Sequence, residues 1–427
     1  MRRVVISGVG VVSPVGIGKE EFWQNLLKGI SGEVAVENIT SSYLFKKIHF
    51  EGVRAFCEAS DFDPVQHYVP VAYHNADRIT QFAFSATEQA MRDALLDSSS
   101  WDPERAGISL GTAIGGIKLL EEEFVRVTNQ GQEPLRDDNI SAALYSAAMH
   151  NSIPLALSAH YGFQGECTIL STGCIGGLDA ISYAYESIAC GEHDLMLAGA
   201  AEAPIAPITV AAFDIINCLS HFPEPGGASR PFSLGRDGFV LSEGSGMVVL
   251  EELEHALARN APIYAEVPGY DVTEHAMHLT DMSPEGRDLA RAITGAMAYS
   301  CTKPADIHFV NAHGTSTPQN DYFETLALKS SLGEHAFMIP INSSKSILGH
   351  SLAASSAIEI VGCVMSLQAQ RLHPTINLLN PDPECDLDYV PQTNRPFAFQ
   401  RLLTTASGFS GLHAAMIIES YGREAQA

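Results

Sequence analysis

Basic side chains are scarce in this chain: its 427 residues carry 25 Lys and Arg against 50 Asp and Glu, a formal net charge of −25 at pH 7. Neutralising phosphates needs a basic surface, so this balance excludes a nucleic-acid binder. A strongly acidic protein partner would need a local basic patch, for which Lys118, Arg126 and Arg401 are candidates. Long apolar runs are also missing, and none has the length to cross a bilayer. The eight cysteines (57, 167, 174, 190, 218, 301, 363 and 385) form neither paired metal spacings nor a dense disulfide framework. Reduced thiols fit a cytosolic protein.

Nucleotide loops are absent as well. Gly8-Val9-Gly10 lacks the third glycine of the dinucleotide pattern, the stretch from Gly111 to Lys118 lacks the phosphate-loop order, and Gly244-Ser245-Gly246 leads into a strand. Met1-Arg2-Arg3 before Val4 to Val12 imitates a secretory leader, but glycines interrupt it and no small-x-small cleavage pattern follows. A buried first strand and a cytoplasmic location are expected.

What is present is a layered α/β pattern, short β-branched runs alternating with helical stretches and no linker rich in Pro, Gly or Ser. Strands are expected at 4–8, 108–112, 167–170, 195–200, 246–251, 307–310, 337–341 and 414–418. Helices are expected at 80–96, 177–189, 286–299, 321–331 and 352–368. Two of these helices are rich in small apolar residues, and each follows a strand. Cys174 stands just before one and His350 just before the other, which suggests two similar halves.

The chemistry concentrates in three motifs. Cys174 lies in Ser171-Thr172-Gly173-Cys174-Ile175-Gly176-Gly177, where a helix N-terminus favours the thiolate and glycines allow close approach. A structural cysteine in a tight turn is the alternative. His313 lies in Asn311-Ala312-His313-Gly314-Thr315-Ser316-Thr317-Pro318, and His350 ends Lys345-Ser346-Ile347-Leu348-Gly349-His350. Zinc held by Cys174, His313, His350 and an inward Glu359 is a rival arrangement that lacks the usual short-spaced ligand pair. Two neutral imidazoles can instead donate hydrogen bonds to a thioester carbonyl, stabilising the enolate formed when a malonyl group loses carbon dioxide. Lys345 and Glu359 are supporting candidates, and the hydroxyls of Thr315 and Thr317 suit the amides of a pantetheine arm.

At these motifs the chain resembles the β-ketoacyl synthase family of the thiolase superfamily, over essentially its whole length. The resemblance implies a five-layered αβαβα thiolase fold with two similar halves, 1–253 carrying the nucleophilic Cys174 and 254–427 carrying His313 and His350. It implies acyl transfer from an acyl carrier protein, with no cofactor or metal beyond the carrier's phosphopantetheine. True thiolases, with a second catalytic cysteine near the C-terminus, and the Cys-His-Asn branch are not matched. Ser171-Thr172-Gly173-Cys174 with Leu178-Asp179, and the stretch from Pro381 to Pro391, look most like the ketosynthase α subunit of type II polyketide synthases. Fatty-acid enzymes read Asn-Ser-Phe-Gly-Phe-Gly-Gly-Thr-Asn where this chain reads Thr405-Ala406-Ser407-Gly408-Phe409-Ser410-Gly411-Leu412-His413. Ser407 thus replaces an aromatic gate, which would admit oxygenated chains. This loop, through Ser407 and Phe409, is expected to form the gate and an oxyanion hole with the Cys174 N–H. Such an α subunit pairs with a chain-length-factor subunit that lacks the cysteine. The alternatives are a homodimeric fatty-acid elongation synthase, or that this chain is itself the non-catalytic partner.

Overall fold

The computed structural model describes residues 1–48, 50–135 and 139–422. Ten strands carry the architecture. In the first half these are β1 (Val4–Ser13), β2 (Ala106–Gly111), β3 (Cys167–Leu170), β4 (Leu195–Glu202) and β5 (Gly244–Glu252). In the second they are β6 (Ala265–Glu274), β7 (Phe309–Asn311), β8 (Ile341–Asn342), β9 (Arg401–Ser407) and β10 (Leu412–Glu419). The strand order is β3-β2-β4-β5-β1 in the first half and β8-β7-β9-β10-β6 in the second. In chain order each is 3-2-4-5-1. The orientations repeat too: two parallel pairings, then two antiparallel ones. The halves join where β1 meets β6, with Val5 opposite Glu266 and Ile6 opposite Ala265. Duplication, suggested by two similar helices in the sequence, is thus written in the hydrogen-bond pattern.

Five helices complete the layers: α1 (Arg78–Asp93), α2 (Gly176–Ala189), α3 (Arg287–Tyr299), α4 (Pro318–Leu332) and α5 (Ala353–Ala369). Helix α1 covers one outer face, and α3 with α4 covers the other. Between the two halves of the sheet α2 and α5 lie side by side, each touching strands of both halves. That central position explains why these two helices are apolar nearly all round, as a helix buried on every side must be. Their close approach requires Gly177, where a Cβ would sit 2.7 Å from the Ala353 carbonyl oxygen and the Ala357 nitrogen. The first strand is buried along all ten residues, a place in the core. Among the described residues no helix is long and apolar enough to cross a membrane.

Two expectations need correction. Residues 333–337 form a 3-10 turn, and the strand expected at 337–341 shrinks to Ile341–Asn342. Pro340 has no N–H to give a ladder there. Helix α4 begins three residues early because Pro318 occupies its first turn and the Thr317 hydroxyl caps the Asn320 N–H at 3.4 Å.

Candidate active site

The chain leaves β3, turns at Gly173 (φ 62°), and carries Cys174 on a single 3-10 turn directly ahead of α2. The Ser356 hydroxyl of α5 fastens this turn, accepting the Leu178 N–H at 3.0 Å and lying 3.4 Å from the Cys174 carbonyl oxygen. The thiol is buried. Two backbone N–H groups, those of Cys174 itself and of Phe409, point at its sulfur. The N-terminus of α2 favours a thiolate, but desolvation outweighs it. Burial pushes the thiol up to about 12, against the pull of Lys345 and the two N–H groups. Cys174 therefore rests as a thiol.

His313 and His350 arrive from separate loops and meet with ring centres 5.3 Å apart and planes at 86°. The loops are joined where the Ser343 hydroxyl donates to the Gly314 carbonyl at 2.7 Å. A Cβ on Gly314 (φ 37°) would lie 2.6 Å from that of Ser343, so only glycine fits. Burial, reinforced by Lys345, drives both imidazoles well below the usual histidine range, and at His313 the neighbouring His350 and His413 add to this. Both are neutral. His350 Nδ1 lies 2.9 Å from Ser355 Oγ, while His313 Nδ1 has no hydrogen-bond partner among the described residues.

Lys345 is no surface lysine. Its Nζ sits 2.5 Å from Glu359 Oε1 with both side chains 1 % exposed, and Ser344 donates to the same oxygen at 2.9 Å. Burial lifts the Glu359 carboxyl above its ordinary range, while Lys345 and Ser344 hold it down.

A cavity of about 300 Å³ is lined by Cys174, His313, His350, Thr315, Thr317, Ser407 and Phe409, among others. All the expected site residues except Lys345 and Glu359 therefore share one space, and that pair lies behind it. The loop expectation shifts in one detail. Phe409, and not Ser407, supplies the second N–H at Cys174, while the Ser407 hydroxyl pairs with His413 Nδ1 at 3.0 Å.

Three buried carboxyls escaped the sequence analysis. Glu324 accepts the N–H groups of His313 and Gly314, each at 2.8 Å, and the Thr405 hydroxyl at 2.7 Å. Asp321 accepts the Thr315 N–H at 3.0 Å. These acids stand one turn apart on the buried face of α4, and that spacing was a readable signal. Glu202 ends β4 beside the site, with hydrogen bonds from Ala113, Ile114 and Ala353 N–H groups, and burial raises it to about 8. The three basic candidates are all engaged in ion pairs: Lys118 with Glu122, Arg126 with Glu123, and Arg401 with Glu419.

A duplicated five-layer α/β fold with a thiol and two neutral imidazoles around one cavity defines a condensing acyltransferase of thiolase fold. Residues 1–256 match the β-ketoacyl synthase N-terminal domain family and residues 264–379 its C-terminal domain. The chain belongs to the β-ketoacyl synthase family. It is 44% identical over 421 residues to a putative polyketide β-ketoacyl synthase 1 of Streptomyces cyaneus, covering 98% of each chain. Among solved structures, a type II polyketide ketosynthase in complex with its acyl-carrier protein superposes with a TM-score of 0.89 at 39% identity, over 98% of this chain and 99% of that one. The ishigamide ketosynthase/chain length factor gives 0.88 at 31% identity, over 99% and 100%.

Proposed function

We propose that this chain is the ketosynthase α subunit of a type II polyketide synthase, condensing malonyl units with a polyketide chain held on Cys174. Both substrates arrive on the phosphopantetheine arm of an acyl carrier protein. The observation that carries this reading is the shared cavity, in which the N–H groups of Cys174 and Phe409 and two neutral imidazoles converge.

In the first half-reaction Cys174 sulfur attacks the acyl thioester carbonyl. The oxyanion rests in the two N–H groups, and the carrier leaves as a thiol bearing the proton that Cys174 gave up. A malonyl thioester then enters along Thr315 and Thr317. Its C–C bond breaks, carbon dioxide leaves, and the electron pair moves onto the thioester oxygen, which His313 and His350 hold by hydrogen bonds. Ser355 Oγ accepts the Ser351 N–H at 2.8 Å and lies 2.9 Å from His350 Nδ1; with its hydroxyl donating there, Nε2 carries the ring proton and can donate to the thioester oxygen. The enolate carbon attacks the acyl group, the C–S bond breaks, and the returning thiolate takes up one proton.

Ser407, small where fatty-acid synthases carry an aromatic ring, favours a polyketide chain, and the partner subunit on this reading is a chain-length factor. Cys174 and both histidines weigh against the chain itself being the non-catalytic partner. Intact mass after incubation with acyl-loaded carrier protein, with the partner co-expressed, tests the assignment. An adduct in wild type and none in Cys174→Ala is expected. Elongation retained by Cys174→Ala would sink it.

A further inference from the structure

Ser407 and His413 stand opposite each other in register where β9 pairs with β10. That backbone ladder holds Ser407 Oγ 3.0 Å from His413 Nδ1. His413 is 1 % exposed, and the His275 ring lies behind it with centres 5.9 Å apart. Burial keeps the ring neutral, with His275 opposing a charge there and Asp288 favouring one. Among the described residues its Nε2 has no hydrogen-bond partner. That orphan fixes the tautomer. A neutral imidazole carries one N–H, and on Nε2 it would be buried without an acceptor, the costlier kind of orphan. The hydrogen therefore belongs on Nδ1, where Ser407 Oγ accepts it. The Ser407 O–H is left over, and among the described residues it has no other partner.

This spare donor faces the substrate. Ser407 lines the cavity together with Cys174. Two residues on, Phe409 supplies the N–H that points at the Cys174 sulfur, and a Cβ added to Gly408 between them would stand 3.4 Å from the Cys174 nitrogen. The Ser407 hydroxyl thus shares a loop with an oxyanion donor and serves the part of the acyl chain nearest the thioester. The rings of Phe213, Phe239 and Phe409 wall the same space and offer no donor. Resting on the function proposed above, we propose that Ser407 donates its hydroxyl hydrogen to the β-keto oxygen of the acyl group on Cys174, and that His413 is the positioning residue that turns the hydroxyl toward it. The pair selects unreduced β-ketoacyl chains over saturated chains of the same length. A saturated chain leaves the hydroxyl unpaired in a closed wall, and a ketone without Ser407 faces aromatic carbon.

The test compares acetoacetyl-pantetheine with butyryl-pantetheine, donors of one length that differ in the keto oxygen. Cys174 acylation is read by intact mass in the complex with the partner subunit. The quantity followed is the ratio of the two second-order rate constants, taken relative to wild type so that the donors' intrinsic reactivities cancel. Ser407→Ala is expected to lower this ratio about tenfold. His413→Leu, which fills the space without a donor, should lower it as far because the hydroxyl is free to turn away. His413→Asn, whose Nδ2 stands in for Nδ1, should restore most of it, which a purely packing role would not predict. A ratio unmoved by Ser407→Ala would overturn the proposal. A ratio raised by His413→Leu would show that the hydroxyl had been donating to the ring, and equal losses in the leucine and asparagine variants would reduce His413 to packing. Either result removes its positioning role. Should His413→Leu fail to fold, Ser407→Ala, which deletes one atom, still decides. If neither donor acylates wild-type Cys174, the proposed function itself fails. Acylation by both donors with a ratio blind to Ser407 sinks only the selectivity.

Discussion

Lys345 Nζ and Glu359 Oε1 stand 2.5 Å apart in a fully buried pair, and Lys345 is the one charge that bears on all three candidate catalytic groups. Its field lowers the thiol of Cys174 and disfavours the imidazolium forms of His313 and His350. Glu359 pairs through one oxygen, and among the described residues the other has no hydrogen bond. Lys345→Met should strand a buried carboxyl and cost about 3–5 kcal/mol of stability in chemical denaturation. It should also slow alkylation of Cys174 at fixed pH, since the thiol loses its cationic neighbour. Glu359→Gln leaves the lysine charge uncancelled and should speed alkylation. Equal alkylation rates in both variants would show that the pair is purely structural.

The neutral imidazoles set a pH signature. Both pKa values lie well below the ordinary 6.5, so protonation begins only in more acidic solution, and the neutral donors persist across physiological pH. Decarboxylation of malonyl carrier by Cys174→Ala, in which the thiol cannot contribute, should therefore be level from about pH 6 to about pH 8. A limb near the free-histidine value would mean that one imidazole is solvated. Replacing either His313 or His350 with alanine should lower carbon dioxide release by ~10²–10³, the usual cost of one oxyanion donor.

Much of this site was legible because its motifs are local. Cys174, His313 and His350 each sit among glycines and small hydroxyl residues, and helices α2 and α5 could be placed from the runs that follow. The fold's five layers came from family resemblance, since strand order is not written in periodicity. Glu202 was missed because a carboxyl in the sequence carries no mark of burial, and its partner Ala113 lies 89 residues away. The ion pairs of Lys118 and Arg126 were readable, at spacings of four and three on one helix. The thiol's resting state was not, because desolvation depends on what the other half of the fold lays over Cys174.

On the proposed function, Ser407 would set how much of the cavity a growing chain can use. It lines the same space of about 300 Å³ as Cys174, and its hydroxyl is tied to buried His413, which burial depresses to about 4 and keeps neutral. Ser407→Phe places a ring in that space and removes the hydroxyl partner of His413. Products should shorten or vanish while acylation of Cys174 by a short donor survives, read by product mass spectrometry beside intact protein mass. Products of unchanged length would place the gate on another residue.

Glu202 gives the fold a pH dependence of definite sign. Its ordinary value is 4.5 and burial raises it to about 8, so between these values the unfolded chain sheds this proton while the folded protein keeps it. The contribution is complete below 4.5, declines as pH rises, and is lost once pH passes about 8. Glu202→Gln carries no titrating proton. Its stability relative to wild type should therefore climb through that window and level off above it, measured as the difference between two thermal melts at each pH. Subtracting the curves removes every other titrating group common to both proteins. A difference that stays constant across the window would mean that the folded protein already holds Glu202 ionised. The N–H groups of Ala113, Ile114 and Ala353 would then be strong enough to stabilise an anion beside the Cys174 thiol, and the thiol would be harder still to deprotonate.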